Sequence, residues 1–145
     1  MTRINVVPVK ELLDEHLRAE YREITRIPNH LVKVGMKPNM DNQPSRYTLG
    51  TGHVKFFYDK MAWLRKRFEE LSIEMDTRGF KTGKEWSYQL PVSLSKDYKV
   101  TEEDLKVNRE RIIDRMPKNP HYYSKRLQSA MASGKVVCLS ERILQ

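Results

Sequence analysis

The chain has 145 residues, with 27 Lys and Arg against 19 Asp and Glu, for a formal net charge of +8. That length suits one domain with one core, and the positive excess favours a polyanionic partner, nucleic acid ahead of an anionic membrane surface. A single cysteine, Cys138, excludes an internal disulfide framework and a cysteine-rich zinc site, and no stretch approaches the roughly 20 apolar residues of a membrane span or the apolar core of a signal peptide, so a soluble, cytoplasmic protein is expected.

The first helical periodicity runs over residues 9–27, with Leu13, Leu17 and Ile24 on one stripe and Leu12 beside it. Pro28, followed by Asn29, is expected to stop it. Residues 28–52 carry Pro28, Gly35, Pro38, Pro44, Gly50 and Gly52 without periodicity and read as one long surface loop. Lys33, Lys37 and Arg46 in it either attract DNA nonspecifically or are simply solvated. Val54, Phe57, Met61, Leu64, Phe68, Leu71 and Met75 then recur at gaps of three and four, which predicts a single core-packing helix stopped at Gly79.

A loop with Gly83, Trp86, Tyr88 and Pro91 follows. Thr101 with Asp104 three residues on announces a third helix, buried through Leu105, Ile112, Ile113 and Met116 and ended by Pro117 and Pro120. His121 to Arg126 form an aromatic and basic cluster ahead of a less patterned tail. No run of alternating residues argues for a sheet. The expected class is all-α, a single compact domain of three principal helices with long connecting loops.

The chain has no phosphate-binding glycine loop, no dinucleotide fingerprint, no H-E-x-x-H and no G-x-S-x-G, so nucleotide and serine hydrolysis lose support. His16, Glu20 and Glu23 share a helix stripe that could offer metal ligands, but nothing else shows ligand spacing, and packed or hydrogen-bonded roles suit His16 and His53 better. Glu20, Arg22, Glu23 and Arg26 lie within two turns. Such a cluster is either a solvated face with helix ion pairs or, in a cationic protein where phosphates arrive, a carboxylate kept for acid–base chemistry. Thr2, a small residue after Met1, permits removal of the initiator methionine. Its α-amine, with a pKa of about 7.7–8.0, would keep a neutral, nucleophilic fraction at physiological pH.

These residues carry a resemblance. MTRIN at the start, HLRAEYRE from His16 to Glu23 with Arg26 after it, LGTGHVKFFYDK from Leu49 to Lys60, the run through Leu64–Arg67 to Arg78–Phe80 and, more weakly, Tyr122–Lys125 are similar to the phage-type pyrimidine-dimer DNA glycosylases, the dimer-specific enzymes called endonuclease V. The correspondence is good over residues 1–27 and 49–80, loose over 97–126, and absent over 28–48 and the final stretch. It implies a glycosylase-like domain over residues 1–130 with an extension of unknown role at 131–145, and an N-terminal segment threaded between the helices. It implies cleavage of the glycosidic bond at a cyclobutane pyrimidine dimer, followed by abasic-site lyase action through an imine, without metal or cofactor. Carried over by position, Thr2 is the nucleophile and Glu23 the essential carboxylate. Arg3, Arg22 and Arg26 hold phosphates and lesion, and His16 supports the site. Tyr122, Tyr123 and Lys125 are candidates for stacking and backbone contact, with core capping an equal alternative for the tyrosines. The implied partner is lesion-bearing double-stranded DNA, bound by a monomer.

Glu15 stands where the family usually has a neutral glutamine, so it either alters lesion preference or points away. Two other readings compete: the same chemistry on abasic or oxidised-base lesions, and a basic DNA-binding protein without enzymatic activity.

Overall fold

The computed structural model describes residues 2–116. The expectations for Met1, Tyr122, Tyr123, Lys125 and the boundary at residue 130 lie outside the described residues. Among those described, the helices are α1 (Asp14–Glu23), α2 (Arg26–Lys33), α3 (His53–Phe56), α4 (Met61–Thr77) and α5 (Glu102–Asp114). Single 3-10 turns stand at Val9–Glu11 and Val92–Leu94, and the sole pairing outside helices is an isolated antiparallel bridge between Lys60 and Ser95. The all-α expectation holds, and α1, α4 and α5 are its three principal helices.

Two boundaries differ from expectation, each for a local reason. The periodicity over 9–27 does not form one helix that ends at Pro28. It divides into a 3-10 turn, α1 and α2, with Pro28 in the first turn of α2. A proline ring excludes the carbonyl four residues upstream, so the ladder fails at Ile24, and the first turn of the next helix needs no N–H from Pro28. The expected loop therefore begins only after Lys33.

The seam from Val54 to Met75 also breaks, between α3 and α4. Carbonyls at the end of α3 are shared between side chains and a closing turn, in which Phe57 N–H reaches Val54 O and Tyr58 N–H reaches Lys55 O. Gln43 Nε2 donates to Lys55 O at 3.2 Å and Phe56 O at 3.4 Å, and Lys60 Nζ donates to Phe56 O at 2.8 Å. The apolar spacing persists across the break because Phe56, Phe57, Met61 and Leu64 all enter the same core.

The other helix ends follow the sequence. Gly79, at φ +83°, closes α4 with its N–H on Asp76 O, while Phe80 N–H reaches Met75 O, so the last carbonyls are satisfied. Thr101 and Asp104 form the capping box at the start of α5. α1 packs on α4. Tyr21 stacks on Phe68 at 5.6 Å, and its hydroxyl accepts from the N–H groups of Gly83 and Lys84. Lys84 Nζ in turn donates to Arg22 O and Thr25 Oγ1, which ties residues 80–90 across the end of α1.

Candidate active site

The N-terminal segment is buried from Ile4 to Val7 without regular secondary structure, and among the described residues it has no sheet to join. Burying unpaired peptide groups costs on the order of 1–3 kcal/mol each, and here side chains from four surrounding elements take up the backbone bonds. Arg3 N–H donates to Glu23 Oε1 of α1 at 3.1 Å. Ile4 N–H donates to His53 Nε2 at 2.8 Å, and Ile4 O accepts from Tyr47 Oη at 2.8 Å. Asn108 Oδ1 of α5 accepts from both Val6 N–H, at 2.7 Å, and Val7 N–H, at 3.0 Å. Val7 O accepts from Arg67 of α4, and Val9 O from Arg78. The segment thus threads between the helices as the resemblance implied.

Glu20 lies beneath it. Its two oxygens accept from Arg67 Nε at 2.7 Å and Nη2 at 3.0 Å, a bidentate pair sealed from solvent, and Oε1 also accepts from Asn5 Nδ2 at 2.9 Å. Asn108 Nδ2 donates to Asn5 Oδ1 and closes the network. Glu20 is therefore fully engaged in holding the fold, and the stripe His16–Glu20–Glu23 does not offer three ligands to one ion.

Glu23, one turn on, is placed differently. It borders a cavity of about 450 Å³ lined by Arg3 and Asn5 of the N-terminal segment, by His16, Ala19, Glu20 and Glu23 of α1, and by Arg111, Ile112 and Arg115 at the end of α5. That volume falls within the range of small-molecule clefts. The two guanidiniums beside Glu23 stand off, with Arg22 Nη2 at 4.0 Å and Arg26 Nη1 at 3.9 Å, and both arginines are exposed. Thr2 is half-buried and covalently next to the peptide N–H that Glu23 holds.

Cations crowd this cavity. Burial, then the nearby Arg111, lowers the pKa of Arg3 from its ordinary value, with Arg115 adding to the effect and Tyr47 and Glu23 opposing it. Arg111 is lowered by burial and by Arg115. His16 Nε2 donates to Arg115 O at 3.1 Å, its Nδ1 is buried without a hydrogen-bond partner among the described residues, and burial lowers its pKa. His53 is fixed in one tautomer: Nδ1–H donates to Thr48 O at 2.8 Å, which leaves Nε2 as the acceptor for Ile4, and burial holds its pKa below the ordinary value.

Of the residues singled out in the sequence, Arg3, His16 and Glu23 meet at the cavity, while Arg22 and Arg26 flank Glu23 on its outer side. Glu15 is exposed and does not line the cavity, and Lys33, Lys37 and Arg46 are exposed. Sequence reasoning missed Arg111 and Arg115. Their i, i+4 spacing in the last turn of the third helix was the available signal, passed over because that helix was read for its buried side alone. It also missed Asn5 and Asn108, whose pairing across the whole chain leaves no local pattern.

A family model described as pyrimidine dimer DNA glycosylase matches residues 1–88. The chain belongs to this family. Its reaction class is accordingly that of a pyrimidine-dimer DNA glycosylase, and its substrate is DNA. The matched range contains the N-terminal segment, α1 to α4 and residues up to Tyr88, but stops short of α5. The Arg111 and Arg115 wall of the cavity thus lies outside the residues that the family match covers. No helix among the described residues is long and apolar enough to cross a membrane.

Proposed function

We propose that this glycosylase also acts as an abasic-site lyase, with the Thr2 α-amine as nucleophile once Met1 is removed and Glu23 as the carboxylate that manages the reaction. The observation that carries this reading is the Arg3 N–H to Glu23 Oε1 hydrogen bond, because it leaves the nitrogen of Thr2 three covalent bonds from an atom in contact with Glu23.

The amine attacks C1′ of the dimer's 5′ nucleotide, the C1′–N bond breaks, and the freed base, still joined to its 3′ neighbour through the cyclobutane ring, takes up the proton that the amine sheds. Opening of the C1′–O4′ bond, with O4′ keeping the bonding pair and taking a proton from water, gives an iminium, an electron sink that acidifies C2′–H. Glu23 takes that proton, the C2′–H electron pair forms the C2′–C3′ double bond, and the C3′–O bond breaks as the 3′ phosphate leaves with its electron pair. Water then hydrolyses the imine and frees the amine. Arg3, Arg22 and Arg26 hold phosphates and lesion by bidentate contacts, joined by Arg111 and Arg115 from α5. His16 supports the sugar end of the cavity. Tyr122, Tyr123 and Lys125 add stacking and backbone contact from beyond the described residues, and the partner is double-stranded DNA carrying a cyclobutane dimer, bound by a monomeric protein in the cytoplasm. Reaching a lesion in a duplex requires unstacking a nucleotide, which costs least at a damaged step.

Borohydride reduction tests the reading. A covalent complex is expected with dimer-bearing duplex and with abasic duplex, and none with undamaged duplex. No trapped complex with a protein whose Met1 has been verified as absent overturns the imine. Trapping on abasic but not on dimer DNA moves the specificity to abasic lesions.

A further inference from the structure

We infer that His53 and Tyr47 form a positioning clamp that aims the Thr2 amine by gripping both peptide groups of Ile4, an inference that rests on the Thr2 reading above. An isolated extended segment has two free torsions per residue, and a nucleophile at its end is useful only if those torsions are fixed. At Ile4 both polar backbone groups are taken by side chains from outside the segment. The N–H goes to His53 Nε2 and the carbonyl receives Tyr47 Oη, each at 2.8 Å. The two clamping rings stand edge to face at 5.5 Å, so each fixes the other. His53 is held at its far nitrogen by Thr48 O, and Tyr47 also packs edge-on against Phe56 and Phe57. Both are buried, and neither lines the cavity. They therefore act on the amine through the chain and not on substrate.

Glu23 holds the next peptide, so residues 3 and 4 are pinned in succession by α1 on one side and by the 47–53 region on the other. The imidazole supplies an acceptor only while Nε2 is unprotonated. Gly52 brings it into place: at φ +91° it turns the chain into α3, and a Cβ there would lie 2.7 Å from Pro44 Cγ.

The test uses the full-length, Met1-free protein in single-turnover trapping with saturating dimer duplex, with duplex affinity and thermal unfolding measured alongside. His53→Leu removes the acceptor. It is expected to slow imine trapping by about 10- to 100-fold while duplex affinity stays within about threefold. His53→Gln, whose amide can accept from Ile4, is expected to recover most of that loss. Tyr47→Phe deletes one oxygen without changing shape, and keeps the question answerable if His53→Leu does not fold; about a 5- to 20-fold slowing is expected. Trapping at the wild-type rate by a folded Tyr47→Phe, or by a folded His53→Leu, overturns the clamp. A parallel loss of affinity and rate in every variant, unrelieved by His53→Gln, also overturns it in favour of a merely structural role. Failure of the wild-type protein to trap overturns the Thr2 reading itself, and is told apart because it precedes any substitution.

Discussion

Glu20 and Glu23 stand three positions apart on α1, both beside arginine, and the structure treats them in opposite ways. Glu20 is sealed from solvent in a bidentate pair with Arg67 and holds the N-terminal segment through Asn5. Both line the cavity, but Glu23 spends one oxygen on a backbone N–H and stands about 4 Å from its two guanidiniums. A carboxylate with both oxygens committed to buried donors is part of the scaffold. One whose cationic neighbours keep their distance leaves room for a phosphate to enter between them and a proton to be taken. Tightness of pairing, more than presence of charge, distinguishes the two carboxylates of this helix.

The largest effect that breaks the comparison is Glu23→Gln. It keeps the acceptor for Arg3 N–H and removes the base, so strand cleavage on dimer duplex is expected to fall by about 10²–10⁴-fold, with duplex binding and unfolding temperature little changed. Cleavage at the wild-type rate would take Glu23 out of its role.

Glu20→Ala should do the reverse, acting on stability ahead of chemistry. It leaves the Arg67 guanidinium buried without its carboxylate, which costs roughly 3–5 kcal/mol, measured by urea unfolding. Replacing Glu20 and Arg67 together with apolar residues of similar volume should destabilise less than Glu20→Ala does, since the uncompensated charge is gone. If Glu20→Ala unfolds at the wild-type denaturant concentration, the scaffold role is wrong.

That division was only partly legible in the sequence. Helical class, the capping box at Thr101 and the stop at Gly79 came from spacing and single residues, because those signals are local. The segment Glu20–Arg26 was visible as a cluster with two readings, a solvated face of helix ion pairs or a carboxylate kept for acid–base chemistry; Glu20 follows neither, being buried against Arg67, and Glu23 carries the second only as our proposal. What sets Glu20 apart is Arg67, 47 positions away, which no periodicity announces. The breaks at Ile24 and at Phe57–Lys60 were hidden for a related reason. Apolar spacing records which face is buried and not whether the backbone ladder is continuous, and the side chains that interrupt it, Gln43 above all, belong to a stretch read as loop. The Thr2 amine and the Glu23 carboxylate were each visible as residue types, but their pairing, and Arg3 beside them, came only through the resemblance. Arg111 and Arg115 lay outside its firm blocks and were lost.

Those two arginines give the smallest and most selective test of the same contrast, now between cations. Arg67 has its donors spent on Glu20 and Val7, whereas Arg111 Nε is buried with no hydrogen-bond partner among the described residues and Arg115 sits one turn away as a like charge. Like charges at i, i+4 oppose each other by a few tenths of a kcal/mol on a helix, and here they also stand at the C-terminal end of α5, where the dipole attracts cations but gives an arriving anion no help. The guanidiniums themselves must therefore supply the attraction for phosphate. Arg115→Ala retains the backbone carbonyl that receives His16, so its loss is confined to charge. Unfolding free energy should change by no more than about 0.5 kcal/mol. The slope of log affinity against log salt, measured on dimer duplex, should shrink by about 1 for Arg115→Ala and again for Arg111→Ala, with weaker binding to damaged and undamaged duplex alike. An unchanged slope would mean that phosphate does not reach the α5 wall, and that Arg3, Arg22 and Arg26 carry the backbone contacts on the α1 side alone.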